Sequence, residues 1–341
     1  MKNLYLCGLS MLTPLGASPA MIKAAMDAGI NSYQECDLLG DDEPTIKFSP
    51  IPAGALKIRT PDQLPGMSPP QIRLLKFATF ALADIAPQLP NEPVPLFLAG
   101  PEPYYQQIGI NQTFIKHLVN SAGVNLDFGN SRYIATGRSG VVEAIDTAFK
   151  FFNASGAHYA LVGGIDSFYD TRTLGILTEK RRIAGDDSFD GFVPGEAAAF
   201  LLIASPNAPE AVRNRSLLML HQPTTVREPG HLLGNAPYTA EALATAVTGA
   251  TATIATPIDT LYTSENGEMH YAKEITVATL RNQHKLNPNR KIIRPAEYFG
   301  DIGAAFAAVA IGLATVDPKS ATLVCASSDG GSRSAICLSA I

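Results

Sequence analysis

The stretch from Ile134 to Phe168 limits the possible folds more than any other part of the chain. Val141, Val142, Ile145, Ala148, Phe149 and Phe152 recur at spacings of one, three or four, the core-facing stripe of a helix. Gly137 and Gly140 precede it, where a chain turning out of a strand needs a permissive backbone. Residues 160–165 then read as a buried strand with Gly163 and Gly164 in its exit. Strand, turn, buried helix and buried strand in this order predict an α/β architecture, its sheets covered on both faces.

The flanking sequence extends the alternation. Residues 4–12 predict a strand stopped by Pro14 and Gly16, and residues 19–28 a helix with Ser18 as N-cap and Gly29 as its stop. Residues 30–70 lack periodicity and read as loop and edge strand. From Pro70 to Ala86, Ile72, Leu75, Ala78, Leu82 and Ile85 share one helical face, with Arg73, Lys76 and Asp84 opposite. Residues 93–100 predict a buried strand and 114–122 a second helix. Thr171 to Asp187 reads as a mobile segment, followed by an apolar strand after Glu196. Pro206 to Asn214 breaks the chain, giving expected halves of 1–205 and 206–341. In the second, a strand (216–222), an alanine-rich helix (239–253) and a strand starting at Asp259 repeat the order of the first.

Three motifs carry a family resemblance. Ile134, Ala135, Thr136 and Gly137, with Val141 to Ala144 and then Gly163 and Gly164, resemble the nucleophile region of β-ketoacyl synthases of the thiolase superfamily. Phe189 to Ile203, containing Gly195 and Glu196, resembles a second ketosynthase motif, and Thr13 to Gly16 the family's opening turn. The resemblance spans nearly the whole chain. It implies a five-layer α/β/α/β/α thiolase fold of two pseudo-symmetric halves, with small-residue helices starting near Gly140 and Gly303 packed centrally. It also implies dimerisation through the strand beside the nucleophile turn.

In the same alignment every position that carries family chemistry is changed. Ile134 stands in the place of the cysteine, and a hydrocarbon side chain cannot attack a thioester. Ser264, or Asn266 in the alternative register, falls in the first histidine place, Gly300 in the second and Pro295 in the lysine place. Asp329 replaces the phenylalanine that gates the family's pocket, with plain turn capping as its alternative role. Ile134, Ser139, Glu196, Ser264, Asn266 and Asp329 are therefore the candidate pocket residues. Glu196 is read as a brace for backbone amides, with a catalytic base as the alternative. Arg138 and Ser139 are read as capping the central helix or binding an anion there. Asn266, His270 and Glu274 are either pocket lining or solvated loop, and His158 lies on the surface. No Ser/His/Asp triad or phosphate loop is present.

Composition narrows the partners. With 341 residues, 46% hydrophobic and 17% charged, and a mean hydropathy of +0.09, the chain predicts a core-rich protein. A net charge of −5, with only Lys180, Arg181 and Arg182 clustered, argues against a nucleic-acid footprint. The most apolar run, residues 304–314, is too short to span a bilayer and predicts a buried helix. No signal peptide is recognised at the N-terminus, so a cytoplasmic location is expected. Cys7, Cys36, Cys325 and Cys337 show neither metal-ligand nor CxxC spacing; Cys36 is read as a surface thiol and the others as inert small hydrophobes. No cofactor and no metal is expected. The leading expectation is a catalytically inactive ketosynthase-like protein, a homodimer or the partner of a ketosynthase-like subunit, with an acyl carrier protein as a further partner. The alternatives are an acyl-transfer or thioesterase-type enzyme with relocated chemistry, using Asp329, Ser264 or Ser139, and an accessory adaptor of a secretion or biosynthetic gene cluster.

Overall fold

The computed structural model describes residues 3–39, 45–56, 64–104, 109–185, 188 and 190–341, so Asp187 and Phe189 of the expected segments lie outside the described residues. In chain order the first half contributes β1 (Asn3–Leu12), α1 (Pro19–Asp27), β2 (Gln34–Cys36), β3 (Ile46–Phe48), α2 (Pro69–Ile85), β4 (Leu96–Ala99), α3 (Gln112–Ala122) and β5 (Arg132–Ile134). It continues with α4 (Gly140–Ser155), β6 (Tyr159–Ser167), α5 (Thr171–Glu179) and β7 (Glu196–Ala204). After the short α6 (Glu210–Arg213) come β8 (Leu218–His221), β9 (Thr224–Arg227), α7 (Glu241–Thr251), β10 (Ile258–Thr263) and α8 (Met269–Arg281). The chain closes with β11 (Leu286–Ile293), α9 (Ala296–Phe299), α10 (Phe306–Ala314), β12 (Thr322–Ser327) and β13 (Ser332–Ser339).

Two runs of strands repeat one topology. In β5-β4-β6-β7-β1 the first two pairings are parallel and the next two antiparallel, and β11-β10-β12-β13-β9 shows the same sequence of senses. Strand β8 pairs with both β1 and β13 and joins the runs edge to edge. Helices α4 and α10 contact each other and strands of both runs, α2 and α3 cover the outer face of the first run, and α7 and α8 that of the second. Helix, sheet, helix, sheet, helix gives the five expected layers.

The two central helices explain the small residues. All nine residues of α10 are buried, and the α4 stripe from Val141 to Phe152 is buried with it in one core. A helix between two sheets has no solvent face, so short side chains set how closely the layers approach. At Gly164 a Cβ would lie 2.4 Å from the Ala304 carbonyl oxygen, which is why that strand exit is glycine.

Two local expectations are corrected. Residues 171–179 are a helix, because Asp170 caps it: its Oδ2 accepts the Thr173 N–H at 2.9 Å and Leu174 and Leu177 bury its inner face. Cys36 is half-buried in the β2–β3 hairpin, packed against a small apolar cluster, rather than a surface thiol. Burial pushes the Cys7 and Cys337 thiols up to about 12. Among the described residues no helix is long and apolar enough to cross a membrane.

Candidate functional site

The turn between β5 and α4 sends one side chain toward the second half of the molecule. Gly137 takes φ +59, which an L side chain rarely adopts, and the turn buries Arg138. The Arg138 guanidinium grips Asp301, which follows α9, with Nε 3.1 and 2.9 Å from the two carboxylate oxygens and Nη2 also donating to Oδ2. Its Nη1 donates to Asp329 Oδ1 at 2.7 Å, and its plane stacks over the Tyr271 ring at 5.0 Å.

Asp329, on the turn between β12 and β13, takes a second guanidinium. Arg182 Nη1 donates to its Oδ2, and the Tyr271 hydroxyl donates to its Oδ1. Arg182 in turn holds Glu268 with two bonds of 2.7 Å, and Asn266 Nδ2 links Glu268 at 3.1 Å to Asp301 at 2.9 Å. Every member of this cluster is buried. Burial opposes each charge, but the opposite charges win. Arg138 and Arg182 hold Asp329 well below the usual carboxylate range, and the carboxylates raise both guanidiniums further. Burial, then the Asp329 charge, pushes the Tyr271 phenol well up, so it stays a neutral donor.

The remaining candidates fall in several places. Asn266, Asp329 and Arg138 meet in the cluster, which settles Asp329 as an ion-pair centre rather than a simple turn cap. Ser264 and Gly300, with Pro295, Arg138 and Asp301, line a cavity of about 10 Å³. Ser264 Oγ accepts the Ser327 N–H at 2.9 Å. Gly300 has φ +69, and a Cβ there would lie 2.6 Å from the Val193 carbonyl oxygen, so no functional side chain fits. Ser139 does not cap α4 with its side chain; its hydroxyl faces the Ala326 and Ser332 carbonyl oxygens at 3.2 and 3.0 Å, tying the turn to β12 and β13. Ile134 is half-buried against the central core.

Glu196 sits apart and braces the backbone, accepting the Ile51 N–H at 2.7 Å and the Ser167 hydroxyl at 2.9 Å. It also pairs with Arg73, which helical periodicity places on the solvent face of α2; a fully buried carboxylate draws the half-buried guanidinium inward. Glu274 and His270 belong to α8 rather than to a solvated loop. Glu274 is fully buried against Arg333 Nε at 2.6 Å, and the His270 ring lies between Tyr238, which it meets at a tilt, and Tyr271, which it meets edge-on. His158 is exposed.

Sequence reasoning missed Arg182, Glu268, Tyr271, Asp301 and Arg333. The available signal was charge itself: carboxylates beside glycines and apolar runs need buried cations, and Arg182 follows the last apolar residue of α5 closely. Next to the cluster lies a cavity of about 30 Å³ bordered by Glu102, Gly137, Arg138, Asp166, Arg182 and Asp329. It has room for about one water molecule.

No family model and no curated protein sequence matches the chain. Solved structures do. A chain of a type II polyketide-synthase acyl-carrier protein in complex with its ketosynthase bound to the hexaketide is 13% identical, with a TM-score of 0.76 over 100% of this chain and 99% of that one. The ishigamide ketosynthase/chain length factor is 16% identical, with a TM-score of 0.72 over 99% of both chains. A β-ketoacyl synthase from Burkholderia phymatum STM815 is 14% identical, with a TM-score of 0.71 over 100% of both. The chain has the thiolase-like ketosynthase fold, and at these identities the likeness is one of fold.

Proposed function

We propose that this protein is a catalytically inactive ketosynthase-like subunit, a structural partner in acyl-chain assembly. The carrying observation is the cluster of Arg138, Asp329, Arg182, Glu268 and Asp301, which occupies the space at the start of the central helices. Among the described residues, the cavities bordered by it measure about 30 and 10 Å³. An acyl thioester needs far more room, since small-molecule sites run to roughly 300 Å³ and above. Ile134 offers no nucleophile, and the two nearby imidazoles meet the cluster from outside. His231 Nδ1 faces the Asp329 carbonyl oxygen at 3.1 Å, and the His270 ring meets Tyr271 edge-on. Ser139 and Ser264 are engaged with backbone groups, and Asp329 is held between two guanidiniums, so relocated acyl transfer finds no support in their placement.

A partner role is supported by the outer edge of the first run of strands. Strand β5 ends that run, and beside it an apolar cleft of about 390 Å³ is lined by Leu96, Leu98, Ile115, Leu126, Phe128 and Tyr133. Phe128 is 53% exposed there, as expected of a face that a second subunit covers. The pairing proposed is a homodimer or a heterodimer with a ketosynthase-like subunit, with an acyl carrier protein as a further partner; one of the similar structures is a ketosynthase/chain length factor.

The test has two arms. Incubation with acyl-CoA and acyl-carrier thioesters is expected to release no thiol and to leave the intact mass unchanged. Mass photometry, alone and with ketosynthases encoded nearby, is expected to give a dimer. A covalent adduct or turnover overturns the inactive reading, and a monomer under every condition overturns the partner reading.

A further inference from the structure

Behind the ion cluster, Tyr238 Oη, His270 Nε2 and Arg333 Nη2 are buried with no hydrogen-bond partner among the described residues. A buried polar atom left so is costly, and nearly all such atoms find a partner in the protein or in ordered water. The three come from different elements: Tyr238 lies in the loop between β9 and α7, His270 in the first turn of α8, and Arg333 on β13.

The fold brings them to one place. Nε and Nη2 share one edge of a guanidinium, and in the fully buried Arg333 that edge faces α8, because Nε donates to Glu274 Oε1 at 2.6 Å. Its Nη1 turns the other way, onto the Ser328 and Ser332 carbonyl oxygens at 2.5 and 3.1 Å. His270 precedes Glu274 by one helical turn, so the two side chains share a face of α8. The Tyr238 ring lies 4.6 Å from the His270 ring. It is seated there by a loop that folds back on itself, since a Cβ at Gly230 would lie 2.5 Å from Tyr238 Cα. The charges of Glu274 and Arg333 act on both Tyr238 and His270.

We propose that Tyr238, His270 and Arg333 together hold one buried water molecule between the 228–240 loop, α8 and β13. The chemistry of the groups selects water over an ion. Burial raises the Tyr238 phenol and lowers the His270 imidazole, so both are neutral and each can donate or accept. Arg333 is already paired with Glu274, and the charges bearing on Tyr238 are two of each sign, Glu274 and Glu228 against Arg333 and Arg281. A bound ion would stay uncompensated. A water molecule takes one bond from the guanidinium and shares two with the phenol and the imidazole, matching the roughly three bonds of a typical buried water. The site also backs the ion cluster, because His270 meets Tyr271 edge-on and the Tyr271 hydroxyl donates to Asp329. Nothing in it depends on whether the protein is catalytic.

Crystals of the intact protein grown with sodium bromide in place of chloride, at a resolution that orders buried solvent, read the site directly. The expected result is one peak within hydrogen-bond distance of Tyr238 Oη, His270 Nε2 and Arg333 Nη2, without bromine anomalous signal. An empty site, a peak with anomalous signal, or the three atoms bonded directly to one another or to other protein groups overturns the proposal. In solution, protein carrying isotope-labelled histidine is expected to show an NOE from water to the His270 ring protons, with the sign of long-residing water. The signal is expected to persist in Tyr238→Phe, where the guanidinium and imidazole still hold the water and no phenol proton can relay exchange. Its absence from the unaltered protein, or its loss in the folded variant, overturns the proposal; should the variant not fold, the crystal structure decides.

Discussion

Replacing Arg138 by methionine keeps most of the stem volume and removes the charge. Asp301 would keep the Asn266 amide and the Gly303 N–H, at 2.9 Å each, but no guanidinium, and Asp329 would keep Arg182 and Tyr271. Removing one partner from a buried ion pair costs about 3–5 kcal/mol, because it leaves an uncompensated buried charge. For 341 residues the unfolding entropy is roughly 0.7 kcal/mol per kelvin, so the melting temperature should fall by about 4–7 °C. The deficit should also depend on pH. In the unaltered protein Asp329 is depressed, so its contribution is present above the ordinary carboxylate range and is lost only in strong acid, as pH falls through the depressed value. Without Arg138 one of the two guanidiniums that depress Asp329 is gone, so the native state takes up a proton at higher pH than before, and the penalty should be smaller at pH 5 than at pH 8. Calorimetry at the two values measures both effects. Adding Asp301→Asn should recover part of the loss, as expected for residues in one network. A cost below about 1 kcal/mol, equal at both pH values, would show the carboxylates to be solvated and would refute the buried-cluster argument.

Three further substitutions test the backbone geometry. Gly303→Ala places a Cβ 2.0 Å from Asp166 Oδ2 at φ +51, where Asp166 also accepts the Ala304 N–H at 2.7 Å. It should cost about 3 kcal/mol or more in chemical denaturation, whereas Gly175→Ala, mid-helix with nothing within 4 Å, should gain about 0.5–1 kcal/mol. Arg181 takes φ 55 just after α5, which delivers Arg182 into the cluster; Arg181→Gly should stabilise by about 1 kcal/mol, and destabilisation would mean that its side chain holds the turn.

What the sequence displayed and what it hid divide along one physical line. Apolar periodicity is local: the stripe Val141 to Phe152 needs only its own spacing to announce a helix, and the alanines of 304–314 announce a buried one. Cap residues are local too, and Ser18 stands one position before α1, as expected. Asp170 is also local, yet the polar run around it reads as mobile until its side chain is seen fastening α5. The cluster is different, because its contacts span 163 residues from Arg138 to Asp301 and 147 from Arg182 to Asp329. No window of sequence contains them. The motif alignment reached the right neighbourhood through Asn266, Gly300 and Asp329, but it marked positions emptied of family chemistry and had no means of naming what refilled them. A buried carboxylate must find a cation or lose its charge, so in a chain with 17% charged residues the acidic side chains beside Gly267, Gly300 and Gly330 each implied an arginine nearby. Which arginine is a question of topology: α4 and α5 belong to the first half, Glu268, Asp301 and Asp329 to the second, and only the stacking of the two sheets on their central helices brings them together.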